Sequence, residues 1–307
     1  RPCICCHNAC FNMASYKGIG NDQLLSDNAG MARCAVNPET MQSKKYKIVP
    51  TSQPKDVAII GGGIGGMEAA RVLKLRGHKP VIYEKTDRLG GIFNAAAAPS
   101  FKEKDRDLLA WYDKEMQDLS IPIHFNSNVT DTASIVADEV IVATGAKPRQ
   151  LQVPGIEKTI EACEYLDGTK EVGNRVIVIG GGLSGCEIAL DLHQKGKQPI
   201  IVEMMNDLIA VRGVCLANSS YLREYFALHD VEVHLNSKLM EVTDTGVTVK
   251  HEDGRTFSIE GDTVLMSVGY EPAPLNSSRK VHLVGDCKQV GNLRTVIWRA
   301  WDVAMAI

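Results

Sequence analysis

Hydrophobic residues along this chain fall into two rhythms. Unbroken apolar runs, Val57-Ala58-Ile59-Ile60 and Val176-Ile177-Val178-Ile179, lack the alternation of a half-exposed strand and predict strands buried on both faces of a parallel sheet. Each run leads into a glycine cluster, a helix-length stretch and a second apolar strand that ends in an acid. Val57 to Glu84 and Val176 to Glu203 therefore both read strand, turn, helix, strand. From Lys104 to Leu119 the apolar positions Leu108, Leu109, Trp111, Tyr112, Met116 and Leu119 recur on or near one face. That spacing predicts an amphipathic helix with the Trp and Tyr in the core. Further strands are expected at Ile121–Phe125, Glu139–Gly145, Val231–His234, Leu239–Val242, Gly246–Lys250, Thr256–Ile259 and Thr263–Ser267. A helix is expected near Leu216–Leu228, then a buried strand ending at Gly285-Asp286 and a last helix from about Leu293. Residues between Cys10 and Cys34 read as a polar loop, and Gln42 to Lys55 as a basic linker with two prolines.

The glycines give the two units a chemistry. Gly61, Gly63 and Gly66 fall on G-x-G-x-x-G, and Gly180, Gly182 and Gly185 repeat them 119 residues on, without a gap. The first glycine permits a tight turn, the second lets the backbone approach a pyrophosphate, and the third lets the helix pack close to the strand. Unpaired N–H groups and the positive end of the helix dipole then face that phosphate. Glu84 and Glu203 stand where a carboxylate can accept a bond from a ribose 2′-hydroxyl. One such motif is a weak signal, but two in the same strand–helix–strand context specify an α/β protein with two Rossmann-like dinucleotide-binding units.

Length and composition narrow the class. With 307 residues there is room for two or three domains, and a net charge of −3 gives no reason to expect nucleic acid or a membrane as partner. No apolar run approaches the ~18 residues that cross a bilayer, and the start shows no charged-then-apolar leader, so the expected location is the cytoplasm. Four of the nine cysteines lie within RPCICCHNAC, and Cys34 follows in ARCAVNPE. Cys3, Cys6 and Cys10 make C-x2-C-x3-C, which can curl three thiolates together, with Cys34 returning as a fourth. In a reducing compartment convergent thiolates mean metal. Three close cysteines and a distant one suit an iron–sulfur cluster better than the paired knuckles of zinc, which is the second reading, with disulfides the third; Cys5 could replace Cys6 as a ligand but reads better as a spectator. The abrupt opening at Arg1-Pro2-Cys3 suggests a piece of a longer polypeptide.

Shorter signals lie between the units. Arg88 with Gly90 and Gly91 suits close backbone approach to a cofactor. EVIVATG ends in Thr144-Gly145, echoed by Val268-Gly269-Tyr270, and Pro148 and Pro154 mark a crossing between domains. Asp286, just beyond a core strand, could bind a ribityl hydroxyl or merely cap the helix that follows. His124, His193, His229, His234, His251 and His282 form no constellation, and no catalytic side chain is assigned.

Taken together, Val57–Glu84, Ala143-Thr144-Gly145, the second unit and Gly285-Asp286 resemble the flavoprotein reductases with two dinucleotide domains. With RPCICCHNAC and CAVNPE in front, the chain more closely resembles the C-terminal half of the iron–sulfur flavoenzymes that include 2,4-dienoyl-CoA reductase and trimethylamine dehydrogenase. The resemblance implies an iron–sulfur segment over 1–45, an FAD domain over 46–150 that resumes over 273–307, and an NAD(P) domain inserted at 151–272. It implies a [4Fe-4S] cluster on Cys3, Cys6, Cys10 and Cys34, although the gap from Cys10 to Cys34 is longer than the family's usual one. An inserted loop costs little entropy. It also implies cofactor contacts from Gly61, Gly63, Gly65, Gly66, Glu84, Lys85, Arg88, Gly91, Ala143, Thr144, Gly145, Gly285, Asp286 and Thr295. Gly180, Gly182, Gly185 and Glu203 would surround the nicotinamide nucleotide, and Gly269 completes the set of cofactor contacts. The family partner is an upstream (β/α)8 barrel carrying FMN in the same polypeptide, and a homo-oligomer is left open. The implied activity is electron input from NADH through FAD and the cluster to that FMN, where an activated C=C bond is reduced. NADH is expected over NADPH because Glu203 is followed by MMND, with no cation for a 2′-phosphate. Two other readings are a module holding only ADP as a prop in an amine dehydrogenase-like enzyme, and a glutamate-synthase-like electron donor. A disulfide reductase would need a C-x-x-C beside the flavin, yet Cys163, Cys186, Cys215 and Cys287 are isolated.

Overall fold

A computed structural model describes residues 1–11, 32–210 and 214–307. Most of the loop expected between Cys10 and Cys34 lies outside the described residues.

Two parallel sheets organise the chain. The first runs in the order His282–Leu283, Glu139–Val142, Asp56–Ile60, Lys79–Tyr83, Ile123–His124. The second runs in the order Ile160–Glu161, Thr263–Met266, Arg175–Ile179, Gln198–Val202, Glu232–His234. The repeat seen in sequence is also a repeat in register: Val57 pairs with Pro80 and Val176 with Pro199. Buried apolar runs at the centre of each sheet explain the absence of alternation, since both faces are covered: one by helices, the other by loop residues such as Val129, Ile135 and Leu275 in the first sheet and by Val242, Val247 and Val249 of antiparallel strands in the second.

Among the described residues five longer helices complete the frame: α1 Ile64–Leu75, α2 Glu103–Asp118, α3 Leu183–Gln194, α4 Leu216–Leu228 and α5 Leu293–Ala306. Helix α2 turns Leu108, Tyr112 and Met116 inward, as its spacing predicts, and Trp111 packs at the edge of the same core. Helices α1 and α5 lie together, and Gly65 is what lets them. A Cβ there would come within 3.3 Å of Val284 and Val296. Trp298 and Trp301 of α5 are fully buried in this core. Among the described residues no helix is long and apolar enough to cross a membrane.

Two features were not legible beforehand. Ala146–Pro148 pairs antiparallel with Tyr270–Pro272, so the two stretches that link the sheet systems form one ribbon. Three-residue strands with a proline in each carry no periodicity, and an isolated ribbon tolerates proline as a sheet interior does not. The other is an antiparallel sheet of Ser237–Thr243, Gly246–His251 and Thr256–Glu260, whose strands were anticipated but not their pairing. Across the two sheet systems Lys102 Nζ donates to Glu187 Oε1 of α3 at 2.5 Å.

Candidate nucleotide and thiolate sites

The three glycines of the first turn do three different jobs. Gly61 sits at φ 109°, and a Cβ on it would lie 2.4 Å from the Ala143 carbonyl oxygen at the end of the neighbouring strand. A Cβ on Gly66 would lie 1.9 Å from the Gly61 carbonyl oxygen. Gly63 differs: nothing closer than the Gly90 oxygen at 4.0 Å faces it, so it borders open space at the start of α1. Gly63 is the N-cap of that helix and no side chain caps it, which leaves the first N–H groups for an anion. A cradle that a methyl group would narrow is what a pyrophosphate needs.

Glu84 holds the turn from the other side. It is 5% exposed, and its Oε2 accepts from Gly62 N–H at 2.7 Å while Oε1 accepts from Thr86 N–H and hydroxyl, each at 2.8 Å. A carboxylate can accept about four such bonds, so Oε2 keeps capacity for a ribose hydroxyl. The following loop closes over the turn through Gly90 N–H donating to Gly62 O at 2.9 Å. Gly91, at φ 55°, stacks backbone on backbone with Gly63. Lys85 and Arg88 are exposed, and Arg88 reaches to 3.9 Å from Asp167 beyond the second sheet.

The remaining expected cofactor residues divide by what they touch. Gly145 and Gly269 both have positive φ and face open space. The Thr144 hydroxyl donates to Ala273 O at 2.7 Å, which ties the two linking stretches together. Asp286 is not the cap of α5; Asn292 is, its side chain accepting from Thr295 N–H at 3.2 Å. Asp286 instead accepts from Gly291 N–H at 3.0 Å, and burial pushes its carboxyl above the usual range. Thr295 is 1% exposed and donates its hydroxyl back to Asn292 O at 2.9 Å, which helps shape the helix start. Gly65 likewise packs helix on helix and does not border the open turn.

The second turn repeats the first closely. A Cβ on Gly180 would lie 2.3 Å from Ser267 O, one on Gly185 would lie 1.9 Å from Gly180 O, and Gly182 has nothing within 4 Å. Glu203 Oε2 accepts from Gly181 N–H at 2.6 Å and Oε1 from Met205 N–H at 2.8 Å. The clamp between acid and glycine N–H was missed from sequence, although its signal was there: the same spacing from turn to acid in both copies.

The N-terminal cysteines are drawn toward one another by the backbone. Arg33 N–H donates to Ala9 O at 2.7 Å, which brings the segment holding Cys10 beside the one holding Cys34, and Ala9, Ala35 and Cys6 pack together. Burial pushes the Cys6 thiol up to about 11, and Cys10, Cys34 and Cys3 push it the same way. The four thiols therefore share a neighbourhood. Among the described residues no three Cys, His, Asp or Glu side chains form a group that could hold a metal ion directly. Cys5 is exposed, with its N–H toward Cys3 Sγ at 3.4 Å. The segment docks on the first sheet system through Trp298, whose Nε1–H donates to Cys34 O at 3.1 Å, and Arg33, whose guanidinium lies 4.3 Å from the Trp298 ring.

Residues 55–290 match the family model described as pyridine nucleotide-disulphide oxidoreductase. The chain belongs to that family. As a member it is an oxidoreductase chain that binds FAD and a nicotinamide nucleotide. Cinnamate reductase of Clostridium sporogenes is 38% identical over all of this chain and 46% of its own length. Bilirubin reductase of Mediterraneibacter gnavus is 31% identical over 94% of this chain and 44% of its own. A solved 2-naphthoyl-CoA reductase complex superposes with a TM-score of 0.86 at 25% identity, over 99% of this chain and 46% of that one. Histamine dehydrogenase from Rhizobium sp. 4-9 shares the fold, with a TM-score of 0.80 at 18% identity over 99% of this chain and 48% of its own. The chain thus spans about half the length of the relatives it matches, and the resemblance drawn from its motifs holds.

Proposed function

We propose that this oxidoreductase chain is the electron-input part of a flavin-dependent ene-reductase. In that reading NADH is the donor, FAD occupies the first turn, and Cys3, Cys6, Cys10 and Cys34 hold a [4Fe-4S] cluster. An FMN-bearing (β/α)8 barrel upstream in the same polypeptide reduces an activated C=C bond. The observation that carries it is the pair of glycine turns, each with an open middle glycine and an acid clamped to its backbone, in one chain with a shared thiol neighbourhood.

When bound, a flavin accepts an electron pair from a nicotinamide and an iron–sulfur cluster carries electrons singly. The residues of this chain supply position. Backbone N–H groups after Gly63 and Gly182 hold pyrophosphates, and Glu84 and Glu203 hold ribose hydroxyls. Asp286 and the start of α5 present a carboxyl group and a helix N-terminus to the flavin side. Buried Trp298 keeps Cys34 attached to the helix whose start faces that site.

An anaerobic NADH titration tests this: the flavin band should bleach, and a low-temperature EPR signal of a reduced cluster should grow after it. A protein isolated without flavin and indifferent to NADH would refute the proposal. The thiol assignment has its own check. Cys6→Ser should lose most of its iron while keeping its flavin, whereas Cys5→Ser should keep both; iron retained in Cys6→Ser removes Cys6 from the set.

A further inference from the structure

Selection between the two nicotinamide nucleotides turns on the ribose 2′ position, and the four residues directly after Glu203, MMND, contain no cation to receive a phosphate there. The fold brings one in from elsewhere. Arg223 of α4 reaches the segment after Glu203 and meets Asp207 as a two-pronged pair, Nε to Oδ1 and a terminal nitrogen to Oδ2, both at 2.9 Å. It also donates to Leu208 O. That segment is folded against the second glycine turn: Ile209 N–H donates to Gly181 O at 2.7 Å, and a Cβ on Gly181 would lie 2.6 Å from Leu208. Gly181 N–H is in turn the donor to Glu203. Arg223, Asp207, Glu203 and the glycine turn are therefore linked by direct contacts. Cys186, in the first turns of α3, feels all three charges, Arg223 in one direction and Glu203 and Asp207 in the other.

We infer that Asp207 is a specificity-determining residue, which holds Arg223 as an ion pair and so withholds it from a nucleotide 2′-phosphate. The inference rests on reading the second turn as the nicotinamide nucleotide site and deepens it. A guanidinium fork pairs with either a phosphate or a carboxylate, and a carboxylate held beside it in the same chain occupies it ahead of a diffusing phosphate. The pair is also reachable: the Asp207 and Arg223 side chains are 53% and 31% exposed. Glu203 stays in place and repels the phosphate, so freeing Arg223 shifts the preference without reversing it. Asp207 does double duty, because its own charge adds to that of Glu203.

The test is calorimetric titration of the unmodified protein, Asp207→Asn, Arg223→Gln and the double variant with NAD+ and with NADP+. Asp207→Asn should raise the ratio of NADP+ to NAD+ affinity about tenfold, roughly the worth of one charge-assisted hydrogen bond, and the double variant should lose most of that gain. An unchanged ratio in Asp207→Asn overturns the inference. So does a double variant that keeps the whole gain, since that would be the effect of removing a negative charge with no part for Arg223. An unmodified protein that binds neither nucleotide overturns the reading of the turn itself, and that result is distinct from the other two.

Discussion

Gly66→Ala should yield a protein purified without flavin and with a lowered melting temperature, whereas Gly63→Ala should fold normally and bind FAD weakly. The two positions are three residues apart and carry the same change, so the contrast isolates the mechanism. At Gly66 the new methyl carbon would sit 1.9 Å from the Gly61 carbonyl oxygen, a backbone atom with no room to move because Gly61 is itself pressed against Ala143. Relief requires shifting α1 away from its strand, and overpacking a rigid site typically costs about 1–3 kcal/mol or more. At Gly63 the nearest protein atom is 4.0 Å away, so the methyl enters only the space left for a pyrophosphate. The expected loss there is at least about tenfold in FAD affinity, read from flavin per polypeptide after dialysis, with the melting temperature unchanged. If Gly66→Ala keeps its flavin at the unmodified stoichiometry, the packing role assigned to that glycine is wrong.

Glu68→Gln should be among the most destabilising single changes in the chain. Glu68 lies on α1, fully buried, and its carboxylate takes Arg1 at 2.9 Å, Arg71 at 3.1 Å and the Tyr112 hydroxyl at 3.1 Å. Arg1 also stacks at 5.0 Å from the Trp111 ring and donates to Val36 O, which joins the cysteine-bearing segment to the first sheet system. Removing the charge leaves two guanidinium groups in an apolar setting, a loss of roughly 3–5 kcal/mol in comparable buried pairs. Urea unfolding of the variant measures it.

The same group sets a pH dependence with a definite sign. Burial by itself would raise the carboxyl of Glu68, but Arg1 and Arg71 overcome it and hold it below the usual glutamate range. A group depressed in the folded state contributes stability that is complete above its unfolded value and is lost as pH falls through its folded one. Unmodified protein should therefore lose stability on acidification below about pH 4.5, and Glu68→Gln should lose less over that window. Equal slopes would mean that other carboxylates dominate.

Sequence and structure divided the work along a physical line. Whatever depends on neighbours a few residues apart was legible: the strand–turn–helix–strand units, the exchange of roles among Gly61, Gly63 and Gly66, the bounds of α4 and the inward face of α2. Periodicity and glycine geometry are local, and the second copy at Gly180, Gly182 and Gly185 repeats the evidence. Glu68 was not legible, because a glutamate between Met67 and Ala69 reads as an ordinary polar helix position. Its burial depends on Arg1 and Tyr112 arriving from two distant parts of the chain beside Arg71, one turn further along the same helix. Nor was the cap of α5 assigned to Asn292, since Asp286 offered a similar oxygen six residues earlier and only the path of the backbone separates them. The ribbon joining Ala146–Pro148 to Tyr270–Pro272, the indole bond from Trp298 to Cys34 and the pairing of Arg223 with Asp207 likewise left no local pattern. From its amino acids alone the chain is specified as a protein of two dinucleotide-binding units with a thiolate segment. Tertiary structure decided which charges face which, because an ion pair or a close approach depends on where distant residues meet, and spacing along the chain does not encode that.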